Sequence, residues 1–360
     1  MRSEWLSARL RELSRLDAYI KPTNSGKFMK MDANENLAIA PQVLNDIVSK
    51  AVSMTDLRYY PSKELDMFYE QISRYLNLDK KYIAVSNGSD QIIESLLSVL
   101  GKRSSVTIFE PTFSYFVNRC RLHDIHIDRI PLNECDNSIP SSRFIESAKK
   151  SNIVYMCSPN NPTGNQFDKE IMLDIVESLS DKLIIVDEAY VEFGKYSLSQ
   201  VITKYDNLIV LRTMSKAFGL AGARVGYLIS HEELAEIFRT QIQSPYPTNS
   251  LSLAVATSAL SLYQYFRKII QIIKQQRDKL FLNLSKIEGI KSFRSDANFV
   301  FFESFDLYDM IQKGLSRELI SIKALGDFYE YRGCFRVTVG TEGMNNKFIS
   351  SISNVITHNG

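Results

Sequence analysis

Three times between residues 152 and 226 a short apolar run stops at a loop crowded with polar side chains, and this recurrence restricts the fold more than any other feature. Asn152 to Tyr155 runs into MCSPNNPTG, Ile184 to Val186 into Asp187, and Leu208 to Leu211 into RTMSKAFGLAGARVG. Runs this short and rich in β-branched residues read as strands buried on both faces, as in a parallel sheet. Further apolar runs lie at Tyr82 to Val85, Val106 to Glu110, Ile125 to Ile130 and Tyr227 to Ile229, with helical patterns at Ser141 to Lys149 and Lys169 to Ser178. The alternation predicts a mostly parallel α/β sheet with helices on both faces. Open sheets of that kind hold ligands beyond the carboxyl ends of their strands, so chemistry is expected in these loops.

The last loop carries Thr213, Ser215, Lys216 and, eight positions after the lysine, Arg224. Burial and a neighbouring cation lower a lysine's pKa and free its amine for Schiff-base formation, whereas a guanidinium suits phosphate. Asp187 stands at a strand end, where a carboxylate can pair with a protonated pyridine nitrogen. Tyr190, three residues on, is placed to reach a phenolic oxygen of the same ring. In MCSPNNPTG two prolines stiffen the loop and aim Asn161. SNGSDQ, after Tyr82 to Val85, puts Gly88, Ser89 and Asp90 at a helix start, where unpaired N–H groups and the helix dipole attract anions. Together these residues describe a pyridoxal phosphate (PLP) site. Taken singly, each has a plainer reading: a surface loop with solvated cations, an acidic strand end, a generic turn, a helix cap.

The order SPNNPTG, VDEAY, SKAFGLAGAR resembles that of the fold-type I PLP-dependent aminotransferases, and most closely the histidinol-phosphate aminotransferase family, from about Met31 to Thr341. The resemblance implies a seven-stranded, mostly parallel sheet in a large domain (41–262) and a smaller α/β domain built from both chain ends (1–40 and 263–360). It implies a homodimer in which Tyr60, in RYYPS, reaches the cofactor phosphate of the neighbouring subunit; otherwise Tyr60 is a plain interface or core aromatic. Phe113 takes the place of an aromatic, frequently Tyr, that stacks on the pyridine face. The same resemblance implies that Asn34, within DANEN, falls near the substrate and that Arg336, in CFRVTVGT, receives the substrate's anionic group. Arg336 is a charge inside an apolar β-run, costly if unpaired, although the alternation of Phe335, Val337 and Val339 also suits a solvent-facing position. A second family cation, usually Arg, is Lys323 in this chain, which exchanges a planar fork for a point charge.

With 360 residues, 43 Lys+Arg against 41 Asp+Glu, and no long single-sign block, nucleic acid is an unexpected partner. No apolar run nears the ~18 residues of a membrane span. Cys120, Cys135, Cys157 and Cys334 show no C-x-x-C spacing, so a reducing, cytoplasmic setting without structural zinc or disulfides is expected. His123 and His126 form an H-x-x-H with no further ligand at metal spacing, and no metal is expected. Trp5, Leu6, Leu10, Leu13 and Leu16 fall at helical spacing and predict a docked amphipathic N-terminal helix; Asn24, Ser25 and Gly26 mark the turn after it. A long helix from about Tyr263 to Lys286 is expected to bridge to the small domain.

The expected activity is amino transfer between glutamate and a small phosphorylated ketone, with histidinol phosphate and imidazole acetol phosphate the first pair. Another ketone phosphate, aromatic amino acids, or decarboxylation of an amino-acid phosphate are the alternatives, since the bond that breaks is set by its angle to the ring. A ligand-binding regulator of this fold carries an added DNA-binding domain, for which a core starting by about Asp32 leaves no room.

Overall fold

Continuous apolar runs demand cover on both sides, and the central strands receive it. The computed structural model describes residues 3–15 and 26–357. In chain order its strands are β1 (Met29–Met31), β2 (Ile83–Ser86), β3 (Ser105–Glu110), β4 (His126–Pro131), β5 (Ile153–Cys157), β6 (Leu183–Asp187), β7 (Leu208–Thr213), β8 (Gly226–Ser230), β9 (Lys291–Ser292), β10 (Phe299–Glu303), β11 (Ile320–Phe328) and β12 (Tyr331–Thr338). A seven-stranded sheet has the order β2-β8-β7-β6-β5-β3-β4 and is parallel except for β8, which runs antiparallel to both neighbours. A five-stranded sheet, β1-β11-β12-β10-β9, takes β1 from the N-terminal side and the rest from the C-terminal side.

One face of the large sheet is covered by the helix Ser89–Val99, through Ile92, Ile93, Leu96 and Leu97, and by Phe116 and Cys120 of the helix Ser114–Leu122. The other face packs on Met172, Ile175 and Val176 of the helix Lys169–Ser178 and on Phe144 and Ala148 of Ser141–Ala148. The strand order reverses between β3 and β5: β4 lies outside β3, while β5, β6 and β7 follow on its other side. The loops after β3, β5, β6 and β7 therefore open into one crevice at this switch point. The helix Tyr263–Leu284 packs against both β10 and the turn at 191–193.

The helix Pro41–Met54 ends well before Pro61, and the next helix, Ser62–Leu76, starts directly behind that proline, whose carbonyl accepts from the Leu65 amide at 2.8 Å. β11 continues through Lys323 to Phe328 because β12 pairs along it, with register shifts near Ala324 and Gly326. The N-terminal helix forms over Glu4–Leu13, capped by the Ser3 hydroxyl, but none of its residues is buried and Trp5 is 75% exposed. The expected docking is not made: amphipathic spacing reports that a face seeks cover, not which surface supplies it. Leu16, Asn24 and Ser25 lie outside the described residues.

Candidate active site

At the crevice lies a cavity of about 740 Å³ whose wall is shared by both sheets. Lys216 lines it from the loop after β7. Its Nζ donates to the Ala33 carbonyl at 3.1 Å and lies 5.7 Å from the centre of the Tyr190 ring. Burial, and after it the Arg336 charge, pull its pKa down to about 8. Thr213 turns this loop: its hydroxyl accepts from the Ser215 amide at 3.1 Å and donates to the Ser215 hydroxyl at 2.9 Å.

Asp187, at the end of β6, is 2% exposed. Its Oδ1 accepts from the Ala189 amide at 3.0 Å and its Oδ2 from the Tyr155 hydroxyl at 2.9 Å. Burial outweighs these donors and pushes the carboxyl up to about 6. Among the described residues no side-chain cation forms an ion pair with it. A buried carboxylate without a protein cation, facing a cavity, suits a cationic ligand atom.

A polar chain joins the two sheets across the cavity. The Tyr190 hydroxyl accepts from Asn34 Nδ2 at 3.0 Å and from Asn161 Nδ2 at 3.4 Å. Asn161 Oδ1 accepts from Arg336 Nη1 at 2.6 Å, and Arg336 Nη2 donates to the Asp32 carbonyl at 2.8 Å. The guanidinium lies over the Phe299 ring at 5.3 Å. Lys323 faces Arg336 across the β11–β12 pair, and burial followed by that like charge lowers its pKa. Two cations thus stand side by side on one wall.

The opposite end of the cavity is an anion cradle. Gly88 caps the helix Ser89–Val99 with φ of 84°, and a Cβ there would come within 2.7 Å of Arg224 Nη2. Gly226 is just as constrained, since a Cβ on it would meet the Ser89 backbone N at 2.4 Å. This close approach lets the loop bring Arg224 against the helix start, where its guanidinium pairs with Asp90 at 3.0 Å. Backbone N–H groups, helix dipole and guanidinium converge, which fits a phosphate.

Ser89, Asp90 and Phe113 also line the cavity. Tyr60 does not; it is 76% exposed and stacked on Tyr246 with ring centres 4.6 Å apart. His123 Nε2 lies 2.9 Å from Glu94 Oε1, and among the described residues no group of three or more metal-type ligands occurs. Sequence reasoning missed Tyr155, and it missed a tie at the rim where Glu110 accepts from Arg129 at 2.7 Å and from the Tyr329 hydroxyl at 2.8 Å. These partners come from separate strands and the β11–β12 turn and carry no local motif.

The chain belongs to the family of class I and II aminotransferases, whose model matches residues 26–352. Within that class it is 34% identical, over 91% of its length and 93% of the relative's, to the histidinol-phosphate aminotransferase of Caldanaerobacter subterraneus subsp. tengcongensis. The structure of histidinol-phosphate aminotransferase from Clostridium acetobutylicum superposes with a TM-score of 0.82 at 26% identity, covering 91% of this chain and 99% of that one. The Sinorhizobium meliloti histidinol-phosphate aminotransferase, solved in complex with pyridoxal-5'-phosphate, superposes with a TM-score of 0.86 at 19% identity and shares the fold over 97% of each chain. That fold is fold type I of the PLP-dependent aminotransferases.

Proposed function

We propose that the chain is a cytoplasmic aminotransferase that carries PLP in this cavity and moves an amino group between glutamate and a small phosphorylated ketone, imidazole acetol phosphate first. The observation that carries the reading is one amine of lowered pKa, Lys216, between an anion cradle at Gly88–Arg224 and a second cationic pair, Lys323 and Arg336. In this reading the larger unit spans 41–262, and 1–40 with 263–360 form the smaller one that brings the second pair.

The cradle Gly88, Ser89, Asp90 and Arg224, with the Thr213 and Ser215 hydroxyls, would hold the cofactor phosphate. Asp187 would hold the proton on the ring nitrogen, Tyr190 the ring's phenolic oxygen, and Phe113 one ring face, while Asn161 and Asn34 orient Tyr190 through its hydroxyl. Bound PLP supplies an electron sink for negative charge developing at the substrate carbon that bears the amine. Lys216 supplies the base: with a pKa of about 8, about one amine in ten is uncharged at pH 7, against fewer than one in a thousand at the ordinary value. Its Nζ would take the proton from the substrate carbon and give it back, on the same face, at the other end of the amino transfer. Arg336 and Lys323 bind the substrate's anion. Because Lys323 is a point charge rather than a fork, ketone phosphates other than the imidazole compound fit the same wall.

The test compares kcat/KM for each phosphorylated ketone with that for its dephosphorylated form and with aromatic 2-oxo acids. Phosphate is expected to add at least about tenfold, roughly 1.4 kcal/mol. A smaller gain, or phenylpyruvate as the best acceptor, would replace this reading with a broad aromatic aminotransferase.

The reading includes a homodimer in which Tyr60 completes the neighbouring site. Supporting it, Val52, Leu57, Tyr59 and Tyr60 expose 58 to 76% of their surface within one short stretch, an apolar patch of the kind that marks an interface. Mixing Lys216→Ala with Tyr60→Ala chains should restore part of the activity through hybrid dimers. No rescue would place Tyr60 in its own subunit's site or outside any site, and a fully active monomer in light scattering would rule out a site completed by the neighbouring chain.

A further inference from the structure

We propose that Tyr155 is a positioning residue for Asp187: its hydroxyl fixes the direction of the carboxylate and holds it ionised, so that the proton stays on the cofactor's ring nitrogen. The inference rests on the PLP reading above.

β5 and β6 pair in parallel register with Tyr155 opposite Ile185 and Cys157 opposite Asp187. Residues two apart in a strand share a face, so all four side chains point into the layer that holds Phe116. The Tyr155 phenol runs diagonally across that face to Asp187 Oδ2, and the Phe116 ring lies parallel over it, with centres 3.7 Å apart and an 11° interplanar angle. Tyr155 is fully buried, so its hydroxyl meets no bulk water. With the Ala189 amide on Oδ1, each carboxylate oxygen has one fixed donor, and rotation of the group would break both bonds.

The surroundings otherwise favour a neutral carboxyl. Burial opposes ionisation most, Asp90 from the facing helix and Glu188 next in sequence add to it, and the Cys157 thiol and Tyr190 phenol close by are themselves pushed up by burial. Against them stand the Ala189 amide and the Tyr155 hydroxyl, a donor that lowers carboxylate basicity. A carboxylate of lower basicity leaves a shared proton on its partner, and here that partner is the ring nitrogen.

Tyr155→Phe removes the hydroxyl and keeps the ring against Phe116. In the cofactor-free full chain, the Asp187 carboxyl is followed by difference infrared spectroscopy, with Asp187→Asn as the blank. The midpoint should rise by about one pH unit or more, the scale of one hydrogen bond to a charged group. Loss of affinity for added PLP by about tenfold, measured by equilibrium dialysis, and a fall in kcat at little-changed KM should accompany it. Phe116→Leu, which loosens the stack and keeps the hydroxyl, should lower the melting temperature without moving the midpoint. An unmoved midpoint in folded Tyr155→Phe overturns the proposal. If that variant does not fold, 3-fluorotyrosine at position 155, a stronger donor, must shift the midpoint downward, and no shift is equally fatal. Wild-type chain that takes up no PLP would instead defeat the aminotransferase reading, while the titration still decides Tyr155.

Discussion

Lys216→Ala should lose at least ~10³-fold in turnover, the scale of a missing base and nucleophile, while the protein remains folded. The fold has little stake in this side chain, whose amine makes one hydrogen bond among the described residues, to the Ala33 carbonyl. PLP should still enter and bind noncovalently, because Gly88, Asp90 and Arg224 are untouched. Borohydride treatment of the loaded wild-type protein, followed by peptide mass spectrometry, should place the cofactor's mass on Lys216. Wild-type activity in the variant, or a reduced adduct at another lysine, would remove Lys216 from its role.

Asp187→Asn should lower kcat on the order of 10²- to 10³-fold, comparable to losing a preorganised electrostatic partner, and should weaken PLP binding. A neutral amide cannot hold the proton on the ring nitrogen. The carboxyl is pushed up to about 6 in the folded chain, against ~3.9 for a free aspartate, so between those values the folded state binds more protons than the unfolded one. The sign follows: this group's destabilisation is absent below about pH 4, grows as pH rises towards 6, and levels off at roughly 3 kcal/mol above it. Cofactor-free Asp187→Asn escapes that penalty. Denaturant unfolding should therefore show the variant gaining on wild type between pH 4 and pH 7. A pH-independent gap would mean that burial does not oppose the charge, and unchanged kcat would reduce Asp187 to a strand-end cap.

What local chemistry encodes was readable along the chain. Apolar runs of three or four residues became β5, β6 and β7 because a buried strand needs nothing beyond its own side chains to declare itself. Their loops were legible for the same reason: prolines at 159 and 162 and glycines at 219, 222 and 226 act on their own backbone. Gly226 shows where this stops, since the requirement for glycine comes from the start of a helix more than a hundred residues away.

Tertiary structure alone decided the rest. Strand order and register put Tyr155 beside Asp187 and Lys323 beside Arg336, and the sequence of a strand specifies which face a side chain takes, not which strand lies next to it. Glu110, Arg129 and Tyr329 likewise meet only after β3, β4 and the β11–β12 turn have been placed. The exposed helix Glu4–Leu13 is the converse case, in which an amphipathic pattern formed its helix without any described surface to bury it. Periodicity is a one-dimensional signal of local conformation and of faces to be covered; the identity of the cover, and the hydrogen bonds and pKa shifts that follow from it, arise when distant segments pack.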